Sequence, residues 1–278
     1  MISFNQYHNI LSKLSQNGIH SQPVKSLVNK QGDLHVLVIK HDVEANLKAA
    51  LRAAQIETEL GHCATYYLQG DLLQEEGSAE IVNKIAQLGH EVSYHYDVLD
   101  SCDGDFPLAS EEFEHYKSLI ESASGQAIET VCPHGNPTKV RNGWKSNKDF
   151  FRSPSVRQKY SELSDIVVDF NTLMPNGTYI SDAGFRLRKI GNISGNDQSN
   201  ANAIDDGVDV AWDTLETMSL MDKSILLSLH THRMRDSEFI LFLTKKRIAL
   251  LRSGYKLGSK VPGVKWLANK FYAYSRRL

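Results

Sequence analysis

Residues 35–44, HVLVIKHDVE, decide the fold class, because this run of apolar and β-branched residues predicts a buried strand. The strand ends in ionisable residues, which are costly to bury unless they are paired or bound to a metal. Side chains alternate along a strand, so Asp42 and Glu44 point to one side and His41 to the other. Two converging carboxylates at a strand end predict a functional site. The alternative is that the strand has already ended and that these residues are solvated in a turn.

Strand-like and helix-like segments alternate along the rest of the chain. The predicted strands are 63–68, 91–97, 130–132, 165–170, 178–181 and 224–229, and the predicted helices are 1–18, 45–60, 78–88, 110–124 and 237–252. Short connections between such segments indicate parallel βαβ units. The first strand is not followed by a Gly-rich fingerprint, which argues against a dinucleotide-binding fold. The pattern favours a (β/α) barrel or an open doubly wound sheet.

The composition is that of an ordinary globular protein, with 41% hydrophobic and 23% charged residues among 278. The net charge of −2 gives no reason to expect a nucleic-acid partner. Three widely spaced cysteines do not form a disulfide framework, which is typical of a reducing compartment. The N-terminal residues lack the regions of a secretory signal, and no window is apolar enough to span a bilayer. We therefore expect a cytoplasmic protein.

No repeat or linker divides the sequence, so we predict a single domain with a basic helical extension. The predicted boundaries are an N-terminal helical segment at 1–30, a barrel at 31–255 and a basic aromatic tail at 256–278. From Lys245 to the end there are ten Lys and Arg and no Asp or Glu. This fits either peripheral contact with an anionic membrane or a packed terminal helix with a solvated basic face. Residues 191–206 predict a long polar loop, of a length often found in lids. The sequence does not predict the oligomeric state.

Histidines are concentrated at one end of the predicted strands. The residues at or just after C-terminal strand ends are His41, His95, His134, His230 and His232. In parallel α/β architectures that edge is where sites form. His90 begins its strand and is predicted to be structural, at the opposite end of the barrel.

Carboxylates and imidazoles from three strands offer ligands for a metal. Asp42 or Glu44, together with His95 and His134, suits a catalytic divalent ion such as Zn²⁺. Such an ion lowers the pKa of bound water to about 7. A neighbouring carboxylate can then take a proton, and a histidine on the other side can protonate the leaving group.

His230 and His232 are two residues apart and so are expected on one face of a strand. One would act as the general acid and the other as support; the alternative is a packed, hydrogen-bonded core pair. Asp182, at a strand end, is placed to orient His230. Arg186 would bind a charged substrate group or pair with Asp182.

Five segments, in order, resemble the motifs of the polysaccharide deacetylase superfamily, the NodB-homology domains. They are VIKHDVE (38–44), LGHEVSYHYD (88–97), CPHGNP (132–137), YISDAG (179–184) and LLSLHTHRM (226–234). The resemblance implies a distorted (β/α)₇ barrel and metal-dependent hydrolysis of an N-acyl group from an amino sugar. It also implies that Asp42 and Glu44 share the base and ligand roles. His95 would be the first metal histidine and His230 the catalytic acid.

Three positions depart from those motifs. The usual Asp-Asp pair is replaced by Asp42-Val43-Glu44, the second metal histidine falls at Leu99, and the arginine of the third motif is Val131. The substitutes for the missing ligand are Asp97, Asp100 and His134, of which we prefer His134. The candidates for substrate contacts are Asp97, Arg186 and Asn136.

We therefore predict a metal-dependent N-deacetylase acting on an N-acetylated sugar precursor, nucleotide- or lipid-linked, in surface-polysaccharide biosynthesis. One alternative is a catalytically inactive barrel that binds carbohydrate or organises a biosynthetic complex, which Leu99 and Val131 favour. Another is a metal-dependent hydrolase of a non-sugar amide.

Overall fold

The computed structural model of the protein describes residues 1–28, 35–136, 139–195, 207–212 and 224–258. The chain divides into two compact units, the larger formed by His8–His232 and the smaller by Met1–Tyr7 with the chain from Arg233 onward. All the predicted site residues belong to the larger unit. The predicted domain boundaries stay predictions. Most of the predicted loop (from residue 196) and of the predicted tail (from residue 259) lies outside the described residues.

The larger unit is built around one sheet of ten strands. The strands are β1 (Ser21–Gln22), β2 (Leu37–Val43), β3 (Thr65–Leu68), β4 (Glu91–Tyr96), β5 (Thr130–Pro133), β6 (Ser164–Asp165), β7 (Thr178–Ser181), β8 (Arg188–Ile190), β9 (Val208–Asp209) and β10 (Ile225–Leu229). Their order is β6-β5-β4-β3-β2-β10-β7-β8-β9, and β1 pairs with β2. The seven strands from β6 to β7 in this order are parallel, whereas β8 and β9 are antiparallel additions. The predicted α/β class, with a parallel sheet of the (β/α) barrel type, is confirmed.

Helices follow most of the parallel strands, as in βαβ units. They are α1 (Phe4–Gln16), α2 (Leu47–Glu59), α3 (Ser78–Gln87), α4 (Val98–Ser101), α5 (Phe106–Ser124), α6 (Lys148–Arg152), α7 (Pro154–Lys159), α8 (Phe170–Leu173) and α9 (Glu238–Gly258). Among the described residues, β6 and β7 do not pair with each other, so backbone hydrogen bonds do not close the ring at this point, as in a distorted barrel.

The central strand β2 is buried along its whole length, as expected for a parallel strand covered on both faces. Its neighbours are β3 and β10. A turn at Asn46, which has a positive φ of 54°, leads into α2. The Asn46 side chain accepts a hydrogen bond from the Ala49 N–H at 3.1 Å and so caps that helix. Glu44 therefore lies in a short connection between two ordered elements.

The predicted strand at 165–170 is wrong beyond its first residue. The strand β6 ends at Asp165, whose Oδ1 accepts hydrogen bonds from the N–H groups of Val167 and Val168 at 2.9 and 2.8 Å. A side chain that captures nearby backbone N–H groups competes with the sheet ladder and turns the chain. The apolar run after Asp165 therefore forms a turn and then the helix α8, which begins at Phe170.

The predicted start of α5 at Ser110 is also wrong, because the helix begins at Phe106. The Asp105 side chain accepts a hydrogen bond from the Leu108 N–H at 3.0 Å, and Pro107 occupies the first turn. Aspartate as the cap followed by proline in the first turn is a common helix start. This start places the short α4, which follows β4, directly before α5.

The smaller unit joins the N-terminal residues to the chain after Arg233. The Phe4 N–H donates to the Arg235 carbonyl at 2.9 Å, and the Arg235 N–H donates to the Ile2 carbonyl at 3.2 Å. The helix α9 then begins at Glu238, where the Ser237 hydroxyl accepts from the Ile240 N–H at 3.2 Å. Among the helices that the structure describes, none has the length and apolarity needed to cross a membrane.

Candidate functional site

The carboxylate of Glu44, directly after β2, lies among four histidines. From Glu44 Oε1 the distances to Nε2 are 3.4 Å for His134, 3.5 Å for His230 and 3.8 Å for His95, and from Oε2 the distance to His232 Nε2 is 4.0 Å. All five come from the C-terminal ends of β2, β4, β5 and β10, which meet at one edge of a parallel sheet. The structure thus brings the predicted ligands and the predicted acid histidines to one point.

Two of these histidines have their Nδ1 atoms committed to acceptors. His95 Nδ1 lies 3.1 Å from the Cys132 carbonyl oxygen, and His230 Nδ1 lies 2.6 Å from Asp182 Oδ1. Carbonyl and carboxylate oxygens only accept, so each Nδ1 carries the proton. Each Nε2 therefore presents its lone pair towards Glu44, which is the tautomer that a metal-binding histidine needs.

The spacing of the donor atoms is that of ligands which share an ion. Tetrahedral bonds of about 2.0–2.2 Å place neighbouring ligand atoms about 3.3–3.6 Å apart, whereas hydrogen bonds join atoms at about 2.7–3.2 Å. The contacts of Glu44 with His134 and His230, at 3.4 and 3.5 Å, fall in the first range, and the contact with His95, at 3.8 Å, is slightly longer. Donor atoms of Glu44, His95 and His134 all lie within 4.8 Å of one another. The residues at this point therefore fit a divalent ion.

The charge of the cluster also suits a cation. Burial alone would raise the pKa of Glu44, but the neighbouring imidazoles of His230, His134 and His95 hold it well below its usual range. Glu44 is thus an ionised carboxylate, with 21% of its side chain accessible to solvent. It is open enough for a ligand or substrate to reach it.

A second possible ligand set consists of Asp42, His95 and Cys132, all buried. Here Lys40 supplies the positive charge, because its Nζ lies 2.5 Å from Asp42 Oδ1 and 3.3 Å from Cys132 Sγ. Burial alone would lower the pKa of Lys40, but the Asp42 carboxylate raises it well above its usual value. A divalent ion beside a buried ammonium is repelled, so the Glu44 set is the better place for a metal.

Asp42 is ionised in this arrangement. Burial alone would raise its pKa, but Lys40, His95 and His230 hold the pKa of Asp42 well below its usual range. The Ser228 hydroxyl donates a further hydrogen bond to Asp42 Oδ2 at 3.3 Å. Asp42 thus faces the same histidines as Glu44 and is held by a different set of contacts.

His134 is positioned by a buried network that the sequence did not reveal. The Asp100 carboxylate accepts from Arg141 Nε and Nη2 at 2.7 Å, from Trp144 Nε1 at 2.9 Å and from Asn147 Nδ2 at 3.0 Å. Asn147 Nδ2 also donates to the His134 carbonyl at 2.9 Å. Asp100 was a candidate ligand, but these four donors occupy it. Its contacts instead hold the segment that follows β5 in place.

The two apolar residues that replace motif residues, Leu99 and Val131, are both buried and take no part in the site. Leu99, where the second motif has a metal histidine, is fully buried in α4, and Val131 is fully buried in β5. The ring of His134 lies beside that of His95, with centroids 5.2 Å apart. Burial raises the pKa of Asp97. Its Oδ2 atom lies 3.9 Å from His134 Nδ1. Asp97 thus lies behind His134, away from Glu44.

One predicted arrangement is wrong, and the role of Arg186 stays a prediction. Arg186 Nη1 pairs with Asp209 Oδ2 at 3.2 Å on the exposed surface. His230 and His232 do not share a strand, because β10 ends at Leu229 and a short 3₁₀ turn follows. Their rings are nevertheless 5.7 Å apart and perpendicular, and both reach Glu44 through that turn.

Two histidines outside the site have structural surroundings, and the backbone of the substrate candidate Asn136 contacts Arg141. His41 Nε2 donates to Glu57 Oε1 at 2.5 Å on the other face of β2. His90 Nδ1 accepts from the Ala64 N–H at 3.1 Å. The Asn136 carbonyl accepts from Arg141 Nη2 at 2.9 Å.

The most consequential residue that sequence reasoning missed is Lys40. A signal was present, since Lys40 and Asp42 are two residues apart and so share one face of β2. A lysine inside an apolar strand needs an acidic partner, and Asp42 is the nearest one on that face. Arg141 and Asn147 carried no such signal, because their partner Asp100 lies 41 and 47 residues away along the chain.

No family model matches the sequence, and no curated protein matches it. Among solved structures, the chain is similar to the catalytic domain of a peptidoglycan N-acetylglucosamine deacetylase from Eubacterium rectale, with a TM-score of 0.43 and 10% identity over 82% of this chain and 90% of that chain. It is also similar to a family 4 carbohydrate esterase from Bacillus anthracis, with a TM-score of 0.38 and 14% identity over 83% of this chain and 85% of that chain. A third is a CE4 family pseudoenzyme from Bacillus anthracis, with a TM-score of 0.38 and 13% identity over 78% of this chain and 60% of that chain. Because each TM-score is below 0.5, function is inferred below from the geometry of the site.

Proposed function

We propose that the protein is a divalent-metal-dependent hydrolase that removes the acyl group from an N-acetylated sugar precursor. The observation that carries the proposal is Glu44 among four histidine Nε2 atoms at 3.4–4.0 Å. Their spacing is too long for hydrogen bonds and close to that of ligands around one ion. Glu44, His95 and His134 would hold the metal, for which zinc is the best match to this mixture of nitrogen and oxygen donors.

When bound, such an ion polarises an amide carbonyl and lowers the pKa of water. The chain's own residues supply the proton transfers. Asp182 holds His230 through Nδ1, so that Nε2 of His230 faces the site and can exchange a proton with the leaving amine. His232, close to both His230 and Glu44, supports this position.

Asp42 is a carboxylate near these histidines that does not belong to the ligand set, and we assign it the role of proton acceptor. It remains ionised beside Lys40, so it can act as a proton acceptor but has no proton to donate. Lys40 orients the Asp42 carboxylate and partly neutralises the negative charge of Asp42 and Glu44 on one side of β2. Asp42 is held by Lys40 and Ser228, whereas Glu44 faces only histidines among its described contacts. This difference separates a fixed proton acceptor from a metal ligand.

The substrate class follows from the motif resemblance rather than from the site. A nucleotide- or lipid-linked N-acetylated sugar, used in surface-polysaccharide assembly in the cytoplasm, belongs to this proposal. The competing proposal is a barrel of the same fold that binds carbohydrate without hydrolysis. It is favoured by Leu99 and Val131, two buried apolar residues where the motifs have a histidine and an arginine.

The test is metal analysis of the purified chain after dialysis against zinc, followed by a substrate panel. We expect about one equivalent of zinc, its loss in His95→Ala and its retention in His90→Ala, since His90 lies outside the ligand set. The panel contains free, nucleotide-linked and lipid-linked N-acetylated sugars and simple non-sugar acetamides, scored for acetate, formate and ammonia.

Each outcome of this test separates the proposals. Absence of zinc from the wild-type chain would contradict metal dependence. Acetate from the non-sugar amides alone would indicate a different amide hydrolase. Sugar binding that persists without metal, with no acetate from any compound, would favour the inactive barrel.

A further inference from the structure

The helix α9 has two apolar sides. One side of the helix is buried. It contains Leu241 and Ile248, which have 3% and 6% of their surface exposed. The opposite side is formed by residues spaced three, four or seven positions apart, which a helix places in one stripe. This stripe, the apolar face of α9, consists of Phe239, Phe242, Leu243 and Leu250, which are 70%, 54%, 50% and 74% exposed.

Exposed large apolar side chains are concentrated on α9. Nine large apolar side chains are exposed in the described part of the chain, and five of them lie on α9, Ile240 being the fifth. The other four, on three separate elements or loops, are single exposed residues of the kind that any protein surface carries. A contiguous exposed apolar stripe marks a surface that binds something.

Positive charge surrounds the apolar face. Lys245, Lys246 and Arg247 are exposed on the same helix, and Lys246 Nζ lies 5.4 Å from the centre of the Phe242 ring. From Lys245 to Leu278 the sequence has ten Lys and Arg and no Asp or Glu. The same stretch contains a tryptophan, a phenylalanine and three tyrosines. The occupant of this surface is therefore both apolar and negatively charged.

We propose that α9 binds the surface of an anionic lipid membrane. The apolar face would lie at the boundary of headgroups and acyl chains, with Lys245, Lys246 and Arg247 beside the lipid phosphates. Lysine has a long apolar stem, so Lys246 can lie within the stripe and still reach the headgroups. None of the described helices can cross a bilayer, so α9 lies on the membrane rather than spanning it. This inference does not depend on the proposed chemistry.

The experiment is co-sedimentation of the full chain with vesicles, without substrate or added metal. One set of vesicles contains phosphatidylcholine alone, and the other contains roughly one third phosphatidylglycerol, which attracts basic segments. We expect binding to the anionic vesicles, and weaker binding in about 0.5 M salt because salt screens the headgroup charge. Binding to the neutral vesicles should be at least about tenfold weaker.

Two variants remove the two parts of the surface. Phe239→Ser with Phe242→Ser and Leu243→Ser, and separately Lys245→Ser with Lys246→Ser and Arg247→Ser, should each lower partitioning into anionic vesicles about tenfold or more. The matched control is Leu108→Ser with Val208→Ser, which changes residues of comparable exposure, 51% and 71%, elsewhere on the chain. The control should bind as the wild type does, and circular dichroism should show that all variants are folded.

Three results would overturn the proposal. Equal binding to both kinds of vesicle, or none to either, would remove the role of anionic lipid. A dimer in lipid-free sedimentation velocity that the phenylalanine and leucine variant abolishes would identify a second copy as the occupant. Vesicle binding that both α9 variants retain, but that Lys265→Ser with Lys270→Ser, Arg276→Ser and Arg277→Ser loses, would assign the contact to the following segment instead.

Discussion

Two glutamates, each accompanied by histidines, lie close to β2, and their surroundings differ sharply. Glu57 on α2 accepts from His41 Nε2 at 2.5 Å and from the Tyr66 hydroxyl at 2.7 Å, and all three side chains are fully buried. Glu44 has no histidine contact shorter than 3.4 Å in the described structure and is partly open to solvent. The first arrangement is a satisfied hydrogen-bonded group, and the second is a set of donors spaced for an ion.

The comparison shows that residue type does not identify a metal site. Both clusters combine a carboxylate with imidazoles, and both shift the pKa of their glutamate downwards against the effect of burial. They are distinguished by distance and by solvent access. A ligand set needs separations longer than hydrogen bonds and an open side, and only the Glu44 cluster has both.

The largest expected effect comes from exchanging the two glutamates for their amides. Glu44→Gln should lose the zinc and bring acetate release below detection, since it removes a charged ligand. Glu57→Gln should keep about one equivalent of zinc. Metal content and turnover of the folded variants are the measurements. If Glu57→Gln loses zinc as fully as Glu44→Gln while remaining folded, the comparison fails.

The next effect concerns the carboxylate that orients His230. Asp182→Asn should lower kcat about 10³-fold and leave the zinc content unchanged, because an amide can donate to Nδ1 and stabilise the wrong tautomer of His230. The substrate KM should change little. The pH profile of kcat should also change, because the protonation of His230 depends on Asp182. A purely structural defect would lower kcat without changing that profile. A variant with normal kcat would show that His230 needs no such partner.

The smallest effect is on stability. Glu57→Gln should lower the free energy of unfolding by about 2–3 kcal/mol, because it weakens buried hydrogen bonds to a charged group. Burial alone would raise the pKa of Glu57, but His41, with His90 and Tyr66, lowers it in the folded state. Its stabilisation is therefore complete above the unfolded pKa of about 4.3 and is lost as the pH falls below that value. Urea unfolding between neutral pH and about pH 3 measures both effects.

The control for this last prediction is an ion pair on the surface. Glu80→Gln breaks an exposed contact with Lys84 at 2.7 Å and should leave stability unchanged. If Glu57→Gln unfolds no more readily than Glu80→Gln at neutral pH, the Glu57 cluster does not stabilise the fold. A Glu57→Gln variant that loses stability below pH 4.3 as steeply as the wild type would assign the acid sensitivity to other groups.

Local patterns predicted most of the fold. Short apolar and β-branched segments indicated β2, β4, β7 and β10, and the strand at 178–181 was predicted with the bounds that the structure shows. The prediction failed at Asp165, where a side chain captures two backbone N–H groups, and at Asp105, where a cap starts α5 earlier. Side-chain to backbone bonds of this kind compete with regular structure and leave little trace in hydrophobic periodicity.

The candidate site was predictable only as a set of strand ends. Periodicity placed His95, His134 and His230 at one edge, and alternation separated His41 from Asp42. The pairing of Asp42 with Lys40 was within reach of the same rule. The contacts of Asp100 with Arg141, Trp144 and Asn147 were not, because they join segments whose approach depends on how the loop after β5 folds.

The sequence by itself determined the parallel α/β class, the order of most elements and the edge at which the histidines gather, because these follow from local periodicity and strand direction. Only the tertiary structure decided that Glu44 lies at the centre of four histidines and that Arg141 and Asn147 bind Asp100. The strand order places β10 beside β2, so that Ser228 and His230 lie next to residues far earlier in the chain. Distances of a few ångströms between such residues depend on strand neighbours and side-chain packing, and these have no local signal in the sequence.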